Sequence, residues 1–198
     1  MISKKSTLVL SKPLEGKREF IEYYVKNAIK ENKTLLFVLT DKGPEQLKQE
    51  LLKDKIFFKN IYFVDCYSQQ AGLNIQKSEN IKYVSGPLAL NELSIAISDF
   101  QREFLKKEML HLIIFDSIST LLMYSNAEAI GRFLQIIIAK IKNLEGDMLF
   151  TIEQGMHDDK TVVTIEHLMD TILEVKKEGN KILTKESGGS WAELKEKQ

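Results

Sequence analysis

The turn Ser11-Lys12-Pro13-Leu14-Glu15-Gly16-Lys17-Arg18 joins an apolar, β-rich run to an amphipathic helical pattern. Its residue types are those of a phosphate-binding turn with several parts exchanged. In the pattern G-x-x-x-x-G-K-[ST], successive backbone N–H groups curve around phosphates, the lysine reaches them, and the hydroxyl holds Mg²⁺. Here Gly16 and Lys17 match. Ser11 stands in place of the first glycine, and together with Leu14 it opposes the tight curvature that glycine permits. Glu15 adds negative charge where a phosphate would lie. Arg18 offers no oxygen to Mg²⁺, although a guanidinium can grip a phosphate directly. As a bare pair, Gly16–Lys17 reads more simply as a loop glycine and a surface lysine. Its placement after the first strand and before the first helix favours an eroded phosphate turn.

Asp116 closes the apolar run Leu112-Ile113-Ile114-Phe115 and is followed by Ser117. A carboxylate ending a buried strand is where a nucleotide hydrolase holds Mg²⁺. The same residue reads equally as a cap for the segment that follows. Other candidates are thinner. The three histidines, His111, His157 and His167, are scattered without metal-ligand spacing, so no metal site is expected. The lone cysteine, Cys66, lies in an apolar run and reads as a buried, inert thiol that excludes disulfides and thiolate clusters. Asp158–Asp159–Lys160 reads as a solvated turn, and Lys4–Lys5 with the tail lysines as solvated charges. Trp191 in a charged tail reads as an aromatic anchor packing on its own domain.

The elements that must position these residues alternate along the chain. Strands are expected at Ser6–Leu10, Thr34–Thr40, Ile61–Cys66, Ile81–Val84, His111–Asp116 and Asp147–Glu153. Helices are expected at Gly16–Glu31, Pro44–Leu52, Asn91–Lys107, Asn126 to about Glu145, and Val162–Met169. Continuous apolar runs such as Thr34–Thr40 fit strands covered on both faces. Glu178-Gly179-Asn180 reads as a hairpin turn between Thr171–Val175 and Lys181–Thr184. Tyr67–Asn80 reads as a long loop of the functional or mobile kind. Repeated strand–helix–strand units predict a mainly parallel three-layer sheet with a C-terminal antiparallel hairpin, formed by one domain over residues 1–198 with a short charged tail at 186–198.

Lys+Arg and Asp+Glu number 28 each, so the formal net charge is zero. Such a chain has no general field to attract nucleic acid or an anionic membrane, and self-association is easier. No apolar run approaches the ~20 residues needed to cross a bilayer. A cytoplasmic protein is expected, with no membrane partner, and with a protein partner or self-association ahead of nucleic acid.

The order of segments resembles a RecA-superfamily ATPase domain of the archaeal KaiC-like type. The stretches that carry it are Thr7–Ala28, Leu35–Leu51 (LLFVLTDKGPEQLKQEL), Ile113–Ser125 (IIFDSISTLLMYS), Thr164–Val175 (TIEHLMDTILEV) and Leu183-Thr184-Lys185. The resemblance implies a RecA-like, P-loop fold. Its cofactor would be ATP or ADP, held by Pro13, Leu14, Glu15, Gly16, Lys17 and Arg18 with Asp116 and Ser117. The family's acidic catalytic pair falls at Asp41–Lys42, where Asp41 matches one carboxylate and Lys42 cannot serve as the base. At the family's Lys-x-Arg-Gly run, Lys185 remains but Glu186 and Ser187 replace the arginine region. The metal hydroxyl, one acid and the arginine are thus absent together, although phosphoryl transfer depends on such groups. Three readings follow: a non-hydrolysing regulatory or assembly module, an atypical ATP-binding protein or weak ATPase using Lys17, Arg18 and Asp116, and a DNA recombination or repair accessory protein.

Overall fold

The computed structural model describes residues 5–144 and 146–194. Lys4, the expected helix end at Glu145 and the tail lysines Lys195 and Lys197 lie outside the described residues. The strands are β1 (Ser6–Ser11), β2 (Thr34–Leu39), β3 (Ile61–Asp65), β4 (Ile81–Tyr83), β5 (His111–Asp116), β6 (Asp147–Glu153), β7 (Thr171–Glu178), β8 (Lys181–Glu186) and β9 (Ala192–Glu193). The helices are α1 (Lys17–Lys30), α2 (Pro44–Lys53), α3 (Leu90–Lys106), α4 (Ile118–Tyr124), α5 (Ala127–Asn143) and α6 (Asp159–Glu166). One nine-stranded sheet runs in the order β4-β3-β2-β5-β6-β1-β7-β8-β9. Strands from β4 to β7 in that order are parallel, and β8 and β9 complete it as antiparallel neighbours. The protein is therefore α/β, mostly parallel, with an antiparallel hairpin at its C-terminal side.

Period-two alternation divides each strand between two apolar layers. Val9, Leu35, Phe37, Leu39, Ile114 and Leu149 face Phe20, Ile21 and Val25 of α1 and Leu47 and Leu51 of α2. Leu8, Leu10, Leu36, Val38, Ile113, Phe115 and Phe150 face α3, α5 and the shorter α4 and α6. Both faces of β2 and β5 are covered, and every residue of each is buried. On the second face, Tyr62, Phe100 and Phe104 pack together, with Tyr62 edge-on to both rings at 5.3 and 4.9 Å between centroids.

Local chemistry sets most boundaries. Asn126 accepts the Ala129 N–H at 2.9 Å and opens α5, whose last turn carries Lys140 and Lys142 beside the negative end of the helix dipole. Three expectations need correction. Helix α6 begins three residues before Val162 and ends at Glu166, because Asp158 accepts the Thr161 N–H at 2.9 Å and caps it. Asp158–Asp159–Lys160 is thus a helix start rather than a free turn. Ile118–Tyr124 forms a short helix that was not foreseen, held by buried Ile118 and Leu121. The charged tail contributes strand β9, and Trp191 lies beneath Lys176 Nζ, 4.3 Å from its ring centroid. The Tyr67–Asn80 segment is anchored at both ends: Asp65 Oδ1 accepts the Tyr67 and Ser68 N–H groups, and Asn80 Nδ2 donates to the Ile61 carbonyl.

Cys66 is fully buried and desolvation pushes its thiol up to about 12. The native protein should therefore resist a thiol reagent at pH 8 and react stoichiometrically once unfolded in urea. Replacing Phe100 with alanine should cost about 3–5 kcal/mol, read as a lower urea midpoint, because its buried neighbours close such a void only in part.

Candidate functional site

Parallel register brings chemistry-bearing side chains to one edge. Ser11 lies opposite Glu153, and Leu39 opposite both Asp116 and Asp65, so β1, β2, β3, β5 and β6 all end together. Ligands of open parallel sheets bind beyond this carboxyl edge.

The turn from β1 passes through exposed Lys12, Pro13, Leu14 and Glu15 before entering α1. Leu14 adopts φ 63° and is wholly exposed. This left-handed conformation costs a non-glycine residue roughly 1–2 kcal/mol. Gly16 has φ 90°, and a Cβ there would stand 3.3 Å from the carbonyl carbon of Lys176 in β7. Both its conformation and its tight approach to the neighbouring strand require glycine.

Lys17 then turns inward. Its ammonium lies 3.1 Å from Asp116 Oδ1 and 3.1 Å from Glu153 Oε1. Asp116 is only 5% exposed, and its Oδ1 also accepts the Thr151 hydroxyl at 3.0 Å. Burial alone would lower the Lys17 pKa; attraction to Asp116 and Glu153 outweighs it and holds the ammonium above its ordinary value near 10.5. Lys42 Nζ approaches Asp116 Oδ2 at 4.0 Å but is bound to Glu50 at 2.9 Å. Thr40 braces the end of β5, its hydroxyl accepting the Ser117 N–H at 2.9 Å and lying 3.1 Å from both the Asp116 and Ser117 carbonyls. Ser117 occupies the N-cap position of α4 without capping it.

The remaining expected residues are spread around this centre. Arg18 sits at the mouth of the cavity beside Lys17, its half-exposed guanidinium engaged by Glu22 of α1 and by Asp54 at the end of α2. Asp41 stands exposed at the rim, where partial desolvation and then the Asp116 carboxylate raise its pKa. Lys185 is paired with Glu174 at 2.7 Å on the hairpin. Sequence reasoning brought Lys17 and Asp116 together and missed Glu153, Thr151, Thr40 and Glu50. The one signal for Glu153 was a carboxylate ending an apolar strand, the feature that marked Asp116.

A Mg²⁺–nucleotide fits this arrangement poorly. The first helical turn supplies no hydroxyl beside Lys17, the lysine already has two carboxylate partners, and the cavity bounded by Lys17, Arg18, Lys42, Glu50 and Asp116 holds about 210 Å³. Pockets that hold small organic ligands run to roughly 300–1,000 Å³. Among the described residues, no group of three or more His, Cys, Asp or Glu side chains is disposed to hold a metal ion. No helix among them is long and apolar enough to cross a membrane.

Fold and site together define an open α/β sheet protein with an ion-paired lysine at the head of its first helix. Residues 5–175 match a family of unknown function, DUF7504, and the chain belongs to that family. No curated protein matches it.

Replacing Lys17 with methionine leaves Asp116 buried with only the distant Lys42 as counter-charge, and should cost about 2–3 kcal/mol of stability. A lysine whose folded pKa is raised stabilises fully below its unfolded value and ceases to do so as pH climbs through the folded one. The penalty measured by urea unfolding should therefore stay constant from pH 6 to 9 and shrink above pH ~10.5.

Proposed function

We propose that the protein is a RecA/KaiC-like domain whose nucleotide site no longer performs hydrolysis, and that it serves as a non-hydrolysing regulatory or assembly module bound to a protein partner or to itself. The observation that carries this reading is the pairing of the two cationic residues that open α1. Lys17 is neutralised from inside by Asp116 and Glu153, and Arg18 is neutralised by Glu22 and Asp54. Phosphoryl transfer needs Mg²⁺ and cations free to stabilise charge on the transferring group. The RecA-like assignment is supported by the strand–turn–helix at Ser11–Lys17, by the strand order and by the meeting of Lys17 with Asp116. Fold alone does not specify activity, so the functional weight rests on the site.

Neutral composition and the absence of a free basic cluster in the turn favour a protein partner over nucleic acid. The juxtaposition of Lys17 and Asp116 also favours a second reading, an atypical ATP-binding protein that retains these two anchors.

The deciding measurement is ATP turnover with Mg²⁺. Turnover indistinguishable from buffer, with no change in melting temperature in millimolar ATP, ADP or GTP, is the expected result. Nucleotide binding to the native state at a hundredfold above Kd would stabilise it by about 2.7 kcal/mol and would be plain in the melt. Robust hydrolysis abolished by Lys17→Ala would defeat the proposal and establish the second reading.

A further inference from the structure

We infer that Glu153 is a resident substitute for a phosphate: its carboxylate occupies the Lys17 ammonium and closes the Ser11–Arg18 turn as an anion site from within. The inference rests on reading that turn as an eroded phosphate site, and deepens it by naming the group that shuts it.

The two carboxylates on Lys17 are not equivalent. Asp116 is fixed: it is buried, bonded to Thr151, and its backbone is braced by Thr40. Glu153 is fixed only at its backbone, where its N–H donates to the Ser119 hydroxyl at 2.8 Å. Its side chain is 22% exposed at the edge of the sheet, and its one hydrogen bond there is from Lys17 at 3.1 Å. A rotation at Glu153 can release it to water, whereas Asp116 cannot leave without burying an unmet charge. Asp116 is therefore the permanent counter-ion, and Glu153 the exchangeable one.

Charge supports the same division. At the ammonium itself, Lys17 meets two carboxylates, Asp116 and Glu153, while the neighbouring Lys42 is held by Glu50. An incoming phosphate or pyrophosphate meets repulsion as well as an occupied donor. Neutralising Glu153 leaves Lys17 with one carboxylate partner and frees one ammonium hydrogen. Nearby, the buried Ser11 hydroxyl has no hydrogen-bond partner, and the first turn of the 14-residue α1 has no side-chain cap. The uncapped backbone N–H groups of that first turn are further donors beside Lys17.

The test is isothermal titration with inorganic pyrophosphate on the full chain, comparing wild type, Glu153→Gln, Glu153→Ala and the double variant Glu153→Ala/Lys17→Ala. Unfolding in urea verifies that each is folded, and the glutamine variant preserves the shape of the site if alanine destabilises it. Pyrophosphate affinity should rise about tenfold or more in both single Glu153 variants, since one opposing charge at close range is worth at least ~1.4 kcal/mol, and the gain should vanish in the double variant. Wild-type binding equal to that of the variants, folded variants that gain none, or a gain that survives loss of Lys17 would each overturn the inference. Turnover of ATP by the wild type is a separate readout, so failure of the functional reading is not mistaken for failure of this one.

Discussion

One ammonium shared by two carboxylates organises the working edge of this protein. Lys17 comes from the first helix, Asp116 from β5 and Glu153 from β6, so the three charges tie the first helix to strands 99 and 136 positions away in the chain. None of the three could be buried to its observed extent alone, because an unpaired charge in such a setting costs several kcal/mol. The surrounding hydroxyls serve the same end: Thr151 satisfies Asp116, Thr40 braces the strand behind it, and Ser119 pins the backbone of Glu153. The arrangement is internally complete, and for that reason it is poorly suited to receive a triphosphate. A group that must stabilise developing charge has to be held in place while remaining unmatched, whereas here Lys17 and Arg18 already have their anions.

The layered core was largely legible because two-sided burial leaves a strong mark on composition. Thr34–Leu39 and His111–Asp116 are apolar almost throughout, and an uninterrupted apolar run of that length has few alternatives to a central parallel strand. Capping chemistry gave the start of α5 at Asn126. Lys17 and Asp116 were legible as a pair because each stands at the mouth of an element whose type could be read locally. Glu153 was not, since its role depends on β6 lying directly beside β1, a fact of strand order that no local pattern encodes.

Other departures have similar origins. The stretch Ile118–Tyr124 contains the β-branched Ile118 and Thr120, which lower helix propensity, yet burial of Ile118 and Leu121 against the sheet makes it a helix. In the α6 region, Thr161, Val162, Val163 and Thr164 give no clear helical stripe, and the decisive signal was the Asp158 cap. Strand β9 consists of two residues and exists only because β8 is already in place to receive it. For α4 and β9 tertiary context overrode, or supplied, what the local sequence lacked.

The borders of the sheet have a consequence for how copies of the molecule can meet. One flank ends in the three-residue β4, with Lys82 at its centre, and the other, among the described residues, in the two-residue β9. Neither is long enough to template an extended added strand. Continuation of the sheet from one molecule to the next is therefore a poor route to association. A stable complex would have to be formed through side chains on the helical layers or the loops, where shape and charge, rather than a repeating main-chain ladder, choose the partner.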